Sequence, residues 1–194
     1  MAVSQNITKF IGTAAARDFA RNNLFRVVSF KTPQLNLVED DLVYCKGADI
    51  PGRITPTATV AYQGMKMSYN KSTVEYPGAD NYTLTFYLDG NGDIRHKFEV
   101  ASRAIFNELQ NTGGWAFPSP TTSNITLARL DSKYEIAEKF TLYGVTLKSI
   151  DSIKTQIADG DGSALEITVT LSYLYYRNTM NDQDYSSITD NRTV

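Results

Sequence analysis

Alternation of apolar and polar residues with period two constrains this chain more than any other feature. Over Leu165–Tyr176, one side of the alternation is Leu165, Ile167, Val169, Leu171, Tyr173 and Tyr175. The other is Glu166, Thr168, Thr170 and Ser172. Successive side chains of a strand point to opposite faces, so such a run has one dry face and one wet face. The pattern returns in Tyr82–Asp89, where Tyr82, Leu84, Phe86 and Leu88 alternate with Thr83, Thr85 and Tyr87. It also fills 57–76, where Ala58, Val60 and Tyr62, then Met65, Met67 and Tyr69, share the drier side. A hairpin is expected there, turning at Gln63-Gly64 or near Asn70-Lys71.

Further strands are expected at Leu24–Phe30 (Phe25, Val27 and Ser29 on one face), Leu42–Lys46, Ile125–Leu130, Lys139–Ile150 with Gly144 as a bulge, and Ile153–Ile157. The 12 Tyr and 9 Phe suit half-buried pleated surfaces. A single helix is expected at about 94–110. Ile94, Phe98, Ala101, Ile105 and Leu109 form its stripe, Asp93 is its N-cap, and Gly113-Gly114 marks its end. The expected fold is mainly β with one flanking helix. Residues 1–23 read as an N-terminal arm with a helical turn near Ala14–Ala16, 24–177 as the β domain, and 178–194 as a polar C-terminal tail.

Composition excludes several functions. Nineteen Lys and Arg stand against 21 Asp and Glu, a balance that opposes tight nucleic-acid binding. Cys45 is the sole cysteine, so neither an intrachain disulfide nor a cysteine-rich metal site is expected; a small buried hydrophobe is the expected role. The N-terminus lacks the apolar run of a cleavable signal, and no stretch approaches the ~20 apolar residues of a membrane span. Folding in a reducing cytoplasm and no direct membrane binding are expected. The five N-x-[ST] sequons, at Asn6, Asn70, Asn81, Asn124 and Asn191, then read as chance.

Catalytic and metal signatures are missing: there is no GxSxG, no phosphate-binding Gly-rich loop ending in Lys-Ser/Thr, and no HExxH. His96, the only histidine, is expected to point to solvent from the helix. The acidic turns starting at Asp89 and Asp159 fail the calcium-loop pattern, which needs Gly at the sixth position and Glu at the twelfth. Ile94 and Val100 stand there in the first, Ala164 and Thr170 in the second, so both read as turns. Glu75, Asp80, Glu135 and Glu138 share no element that would pair them. The cluster of Tyr173, Tyr175 and Tyr176 reads as core or subunit packing before sugar or base stacking. No enzyme activity and no cofactor are expected.

Four segments, in order, resemble the tail tube proteins of contractile-tailed bacteriophages. Asp18-Phe19-Ala20-Arg21-Asn22-Asn23-Leu24-Phe25-Arg26-Val27 is similar to that family's D-F-A-R-x-N-L-F-x-V. Cys45–Gly52 resembles its C-K-x-x-x-[LI]-P turn. The strand at Tyr82–Asp89 leading into Asp93–Phe98, and the closing strand Glu166–Tyr176, complete the set, which spans roughly residues 17–177. One departure is visible: Val145-Thr146-Leu147 follows Gly144 where the family has G-x-x-P.

The resemblance implies two packed antiparallel sheets with a flanking helix, and an assembly. Six copies would form a ring whose sheets join into one β-barrel, and rings would stack into the inner tail tube. Implied partners are further copies, a tail sheath protein, baseplate initiator and tail terminator proteins, a tape measure protein in the lumen, and DNA in transient passage. The implied location is the virion, after synthesis in the host cytoplasm. On that reading Thr57, Thr59, Ser68, Asn70, Glu166, Thr168, Thr170 and Ser172 line the lumen, where small hydroxyls do not grip phosphate. Lys66 and Lys71 interrupt the pattern. The arm and the Pro-punctuated stretch 31–56 would make inter-ring and inter-subunit contacts through Phe19, Arg21, Asn23, Phe25, Lys46, Ile50 and Pro51. Competing readings are a baseplate tube-initiator or type VI secretion tube subunit on the same fold, a carbohydrate-binding virion β-sandwich, and a small β-rich hydrolase.

Overall fold

The computed structural model describes residues 4–17, 19–107, 109–110, 112–113, 119–155, 162–180 and 183–184. In chain order the elements are α1 (Ser4–Arg17), β1 (Phe25–Thr32), β2 (Leu35–Asn36), α2 (Glu39–Val43), β3 (Cys45–Ala48), β4 (Thr57–Tyr62) and β5 (Met65–Asn70). A 3-10 turn at Ala79–Asn81 leads to β6 (Tyr82–Tyr87), α3 (Asp93–Ile105), β7 (Phe106–Asn107) and β8 (Thr112–Gly113). Then come β9 (Asn124–Leu130), β10 (Ile136–Tyr143), β11 (Thr146–Ile150), β12 (Glu166–Ser172), β13 (Tyr175–Met180) and β14 (Gln183–Asp184).

Two antiparallel sheets enclose one core. The larger has the order β14-β13-β10-β9-β1-β2, the smaller β11-β12-β6-β3. Alternation decides what each contributes. Ile167, Val169 and Leu171 of β12 and Leu84 and Phe86 of β6 face Ile125, Leu127, Phe140 and Leu142 of the larger sheet. Helix α3 completes the core with Ile94, Phe98 and Ala101. The Phe98 ring lies 5.5 Å from that of Phe86 and 6.2 Å from that of Phe30, so the helix touches both sheets.

The sheets exchange strands at one corner. Lys139–Ile150 is not one bulged strand: β10 belongs to the larger sheet, β11 to the smaller, and Gly144 stands between them. Leu165–Tyr176 likewise divides at Tyr173-Leu174 into β12 and β13. Gly144 has φ +68°, and a Cβ there would lie 2.5 Å from Leu174 Cδ1. Only glycine accepts that backbone without strain, and here it also lets the two crossing strands approach. The Leu174 amide donates to Tyr143 O (2.9 Å) and the Gly144 amide to Ser123 O (2.8 Å). Corners of this kind are how strands change sheets.

Other expectations are corrected in detail. In β1 a register shift between Val27 and Ser29 turns Phe30 into the core in place of Ser29. Leu42 is helical, in α2, and the strand expected at Leu42–Lys46 starts at Cys45. Helix α3 stops at Ile105; Phe106–Asn107 pairs instead with Thr112–Gly113, and Leu109 is exposed. The α3 N-terminus is served by Asp89, whose carboxylate accepts from the amides of Asp93 (3.0 Å) and Ile94 (3.1 Å). Those bonds hold the Asp89 carboxyl below its usual range, so the first acidic turn works as a helix cap. Asp41 accepts from the Val38 amide (2.9 Å) and from Lys97 Nζ (2.6 Å), tying α2 to α3. Residues 151–155 form no strand, and Gly114, Gln156, Ile157 and Asp159–Asp161 lie outside the described residues. Strand pairing continues beyond residue 177, through Met180 and again at Gln183–Asp184, where a polar tail was expected. The arm holds a 14-residue helix rather than one turn.

Candidate assembly surfaces

The outer face of the smaller sheet is built by the residues that the alternation leaves out of the core. Thr168 pairs with Thr85 and Thr170 with Thr83 across β12 and β6. Ser172 pairs with Thr146 on the other side. Hydroxyls meet directly, at 2.6 Å between Thr146 Oγ1 and Ser172 Oγ and 3.3 Å between Thr85 Oγ1 and Thr168 Oγ1. At the lower end Lys46 Nζ donates to Glu166 Oε1 at 2.5 Å and lies 5.5 Å from the Tyr87 ring centroid. The bond to Glu166 raises the Lys46 pKa, and the ammonium and carboxylate offset each other's charge. The outer face of the larger sheet has a different chemistry. Tyr143 and Tyr175 stack at 5.0 Å, and Arg177 lies over Tyr143.

The edges of the smaller sheet matter as much as its face. Each neighbouring pair is antiparallel, so β3 and β11, at the two ends of four alternating strands, run in opposite directions. A rotated copy set beside β11 would therefore present β3 antiparallel to it.

The third surface is the β4–β5 hairpin, which turns at Gln63-Gly64. Both turn residues have positive φ (46° and 82°), the two-residue geometry that matches strand twist. Its foot is held by paired bonds between Ile54 and Glu75. The drier side of the hairpin is not covered by the helix or by either larger sheet. The hairpin forms its own two-stranded sheet, and Val60, Tyr62, Met65, Met67 and Tyr69 are all exposed.

The eight residues expected to line a lumen thus fall on two surfaces. Glu166, Thr168, Thr170 and Ser172 stand together on β12; Thr57, Thr59, Ser68 and Asn70 stand on the polar side of the hairpin, where Thr59 and Ser68 meet at 3.5 Å. Sequence reasoning missed Thr83, Thr85 and Thr146 as members of the first surface; the period-two signal in Tyr82–Asp89 already contained two of them. The contact residues are also dispersed. Phe19, Arg21 and Asn23 are exposed between α1 and β1, and Phe25 is half-buried on β1. Lys46 belongs to the hydroxyl face, Ile50 is exposed, and Pro51 is buried within its own chain.

Titratable groups serve packing here. His96 is exposed on α3. The Cys45 thiol is pushed up to about 12 by burial, against a smaller opposing effect of its bond to Gly47 O; the side chain is half-buried and packs against the edge of the core, where a buried one was expected. Burial also raises Tyr82, whose hydroxyl donates to Asp49 O at 2.6 Å. Tyr173 meets Tyr82 edge-on at 5.7 Å, so this part of the tyrosine cluster is core. Above the ordinary values of 9.0 and 10.0 the folded chain keeps protons that the unfolded chain releases. Stability is complete below those values and falls as pH rises from about 9 upward. Thermal unfolding between pH 8 and 11 should show that fall, and Tyr82→Phe should make it shallower.

Among the described residues no group of three or more His, Cys, Asp or Glu is placed to hold a metal, and no helix is long and apolar enough to cross a membrane. By sequence, no family model and no curated protein matches. By structure, the chain is similar to one from the anti-feeding prophage baseplate: TM-score 0.53, 13% identity, covering 84% of this chain and 97% of that one. It is similar also to a chain of the anti-feeding prophage cap, which terminates the tube: TM-score 0.51, 12% identity, covering 93% and 99%. This chain has a tail-tube-like fold. The two packed sheets and flanking helix implied by the resemblance are those of the tube-like fold observed here. A weaker likeness, at TM-score 0.41 and 14% identity over 81% of this chain and 87% of the other, links it to Hcp1 from Salmonella typhimurium.

Proposed function

We propose that this protein is a structural subunit of the inner tube of a contractile phage tail, assembled from stacked hexameric rings, and not an enzyme. The observation that carries the reading is the smaller sheet: four alternating strands whose end strands run antiparallel, with hydroxyls on the outer face. Joining β3 of each copy to β11 of the next keeps every neighbour antiparallel round a ring. Closure removes the sheet edges, which otherwise template aggregation. The face turned to the bore then carries hydroxyls and a neutral Lys46–Glu166 pair. DNA on its way out would find no cluster of free cations to replace its counterions. The more charged outer face of the larger sheet would meet the next layer, a contractile sheath. Initiator and terminator proteins would bound the stack, and a tape measure protein would occupy the bore before DNA. The virion tail is the location that goes with this role.

A tube-end ring is the second reading, favoured by the likeness to baseplate and cap chains. Negative-stain microscopy of the purified protein at rising concentration separates the two. Long hollow rods are expected. Isolated rings would assign the chain to a tube end, and a strict monomer at high concentration would overturn both.

A further inference from the structure

We infer that α1 of one copy docks along the apolar face of the β4–β5 hairpin of a second copy, an inference that rests on the tube reading and names the contact linking copies beyond the sheet edges. Helix α1 carries Ile7, Phe10, Ile11 and Ala14 at spacings of three and four, one face of a helix. Ile7, Phe10 and Ile11 are 60 to 67% exposed. On the hairpin, cross-strand pairs Val60–Met67 and Tyr62–Met65, with Tyr69 beside them, form a continuous apolar face that is 46 to 69% exposed. Phe10 meets Phe19 of its own chain at 6.0 Å, yet both stay 61% exposed, so the folded chain leaves two apolar faces largely uncovered, neither of them part of the core clusters.

The faces fit each other in length and chemistry. Fourteen helical residues at ~1.5 Å each run ~21 Å, and six strand residues at ~3.4 Å each run ~20 Å. Met65 and Met67 are adaptable thioethers that pack well on an aromatic ring such as Phe10. The polar side of the hairpin, with Thr57, Thr59, Ser68 and Asn70, stays wet when the other side is covered. Six residues lie between Arg17 and Leu24, where the sheet body begins, so seven Cα–Cα steps reach up to ~25 Å from the body. In a stack each copy would give one helix and receive one, so each of the two faces is used once per subunit, in a head-to-tail contact.

Mixing two single variants tests this in full-length protein, both in a Cys45→Ser background: Phe10→Cys in one, Met67→Cys in the other. Under mild oxidation the mixture should give covalent dimers at least tenfold above a control that pairs Phe10→Cys with Val100→Cys, an exposed position on α3. A yield equal to the control overturns the docking. So does a Phe10→Cys/Met67→Cys double variant that closes within one chain. Microscopy of the unsubstituted protein reads the tube proposal separately. Rods without the cross-link leave the tube and remove the docking, a cross-link without rods does the reverse, and neither removes both.

Discussion

Ile150→Pro should yield a folded protein whose rods fall at least tenfold. The amide of Asp151 donates to Thr168 O at 3.0 Å, so it faces β12. Amides alternate along a strand, which turns the amide of Ile150 away from β12 and toward the open edge. Proline there deletes a donor on the side where a second copy would pair, and leaves the β11–β12 ladder of the same chain in place. Each lost edge bond costs about 1 kcal/mol, and the ring adds a steric wedge at each of its six proposed junctions. With 1.4 kcal/mol worth a factor of ten in association, rods should fall at least tenfold in sedimentation or microscopy. Ile150 is half-buried against the core, so Ile150→Ala is the control for lost packing, and it should keep its rods. Rods at undiminished yield from the proline variant would move the junction away from β11.

What the sequence made legible was the face, not the edge. Alternation marks which residues of a strand leave the core, so Thr168, Thr170 and Ser172 are legible together in the sequence. It carries no information on which strands end a sheet, since β3 and β11 are short and their pairing depends on contacts distant in sequence. The corner at Gly144 was hidden for a related reason. Tyr173 and Tyr175 continue the apolar pattern of β12, yet Tyr173 is buried while Tyr175 stacks on Tyr143 on the outer face. The strand changes sheet at Leu174, and the phase of the pattern changes with it. The Val27–Ser29 shift does the same on a smaller scale by bringing Phe30 inward. The hairpin shows the converse failure. Its period-two pattern was read correctly as two strands, but an apolar face in sequence does not say whether it is covered by its own chain. In α1 the spacing of Ile7, Phe10, Ile11 and Ala14 was a helix signal, passed over beside the small polar residues around it.

Phe98→Ala should cost about 3–5 kcal/mol, the range for deleting a large buried ring. The side chain is 0% exposed and sits between Phe30 of the larger sheet and Phe86 of the smaller. Its removal takes away apolar burial and leaves a void where α3 meets both sheets. The backbone cannot close that void cheaply, because α3 is anchored at both ends of its buried stripe. Ile94 and the Asp89 cap fix the first turn, and Ala101 is buried one turn beyond Phe98. The measurement belongs in the Ile150→Pro background, since assembly would add its own free energy to that of the folded subunit. There, Phe98→Ala should lower the urea midpoint sharply, while Val100→Ala, on the exposed side of the same helix, should stay within ~0.5 kcal/mol. Equal midpoints for the two variants would mean that α3 does not close the core. The two sheets would then hold together through their own facing side chains and the Gly144 corner.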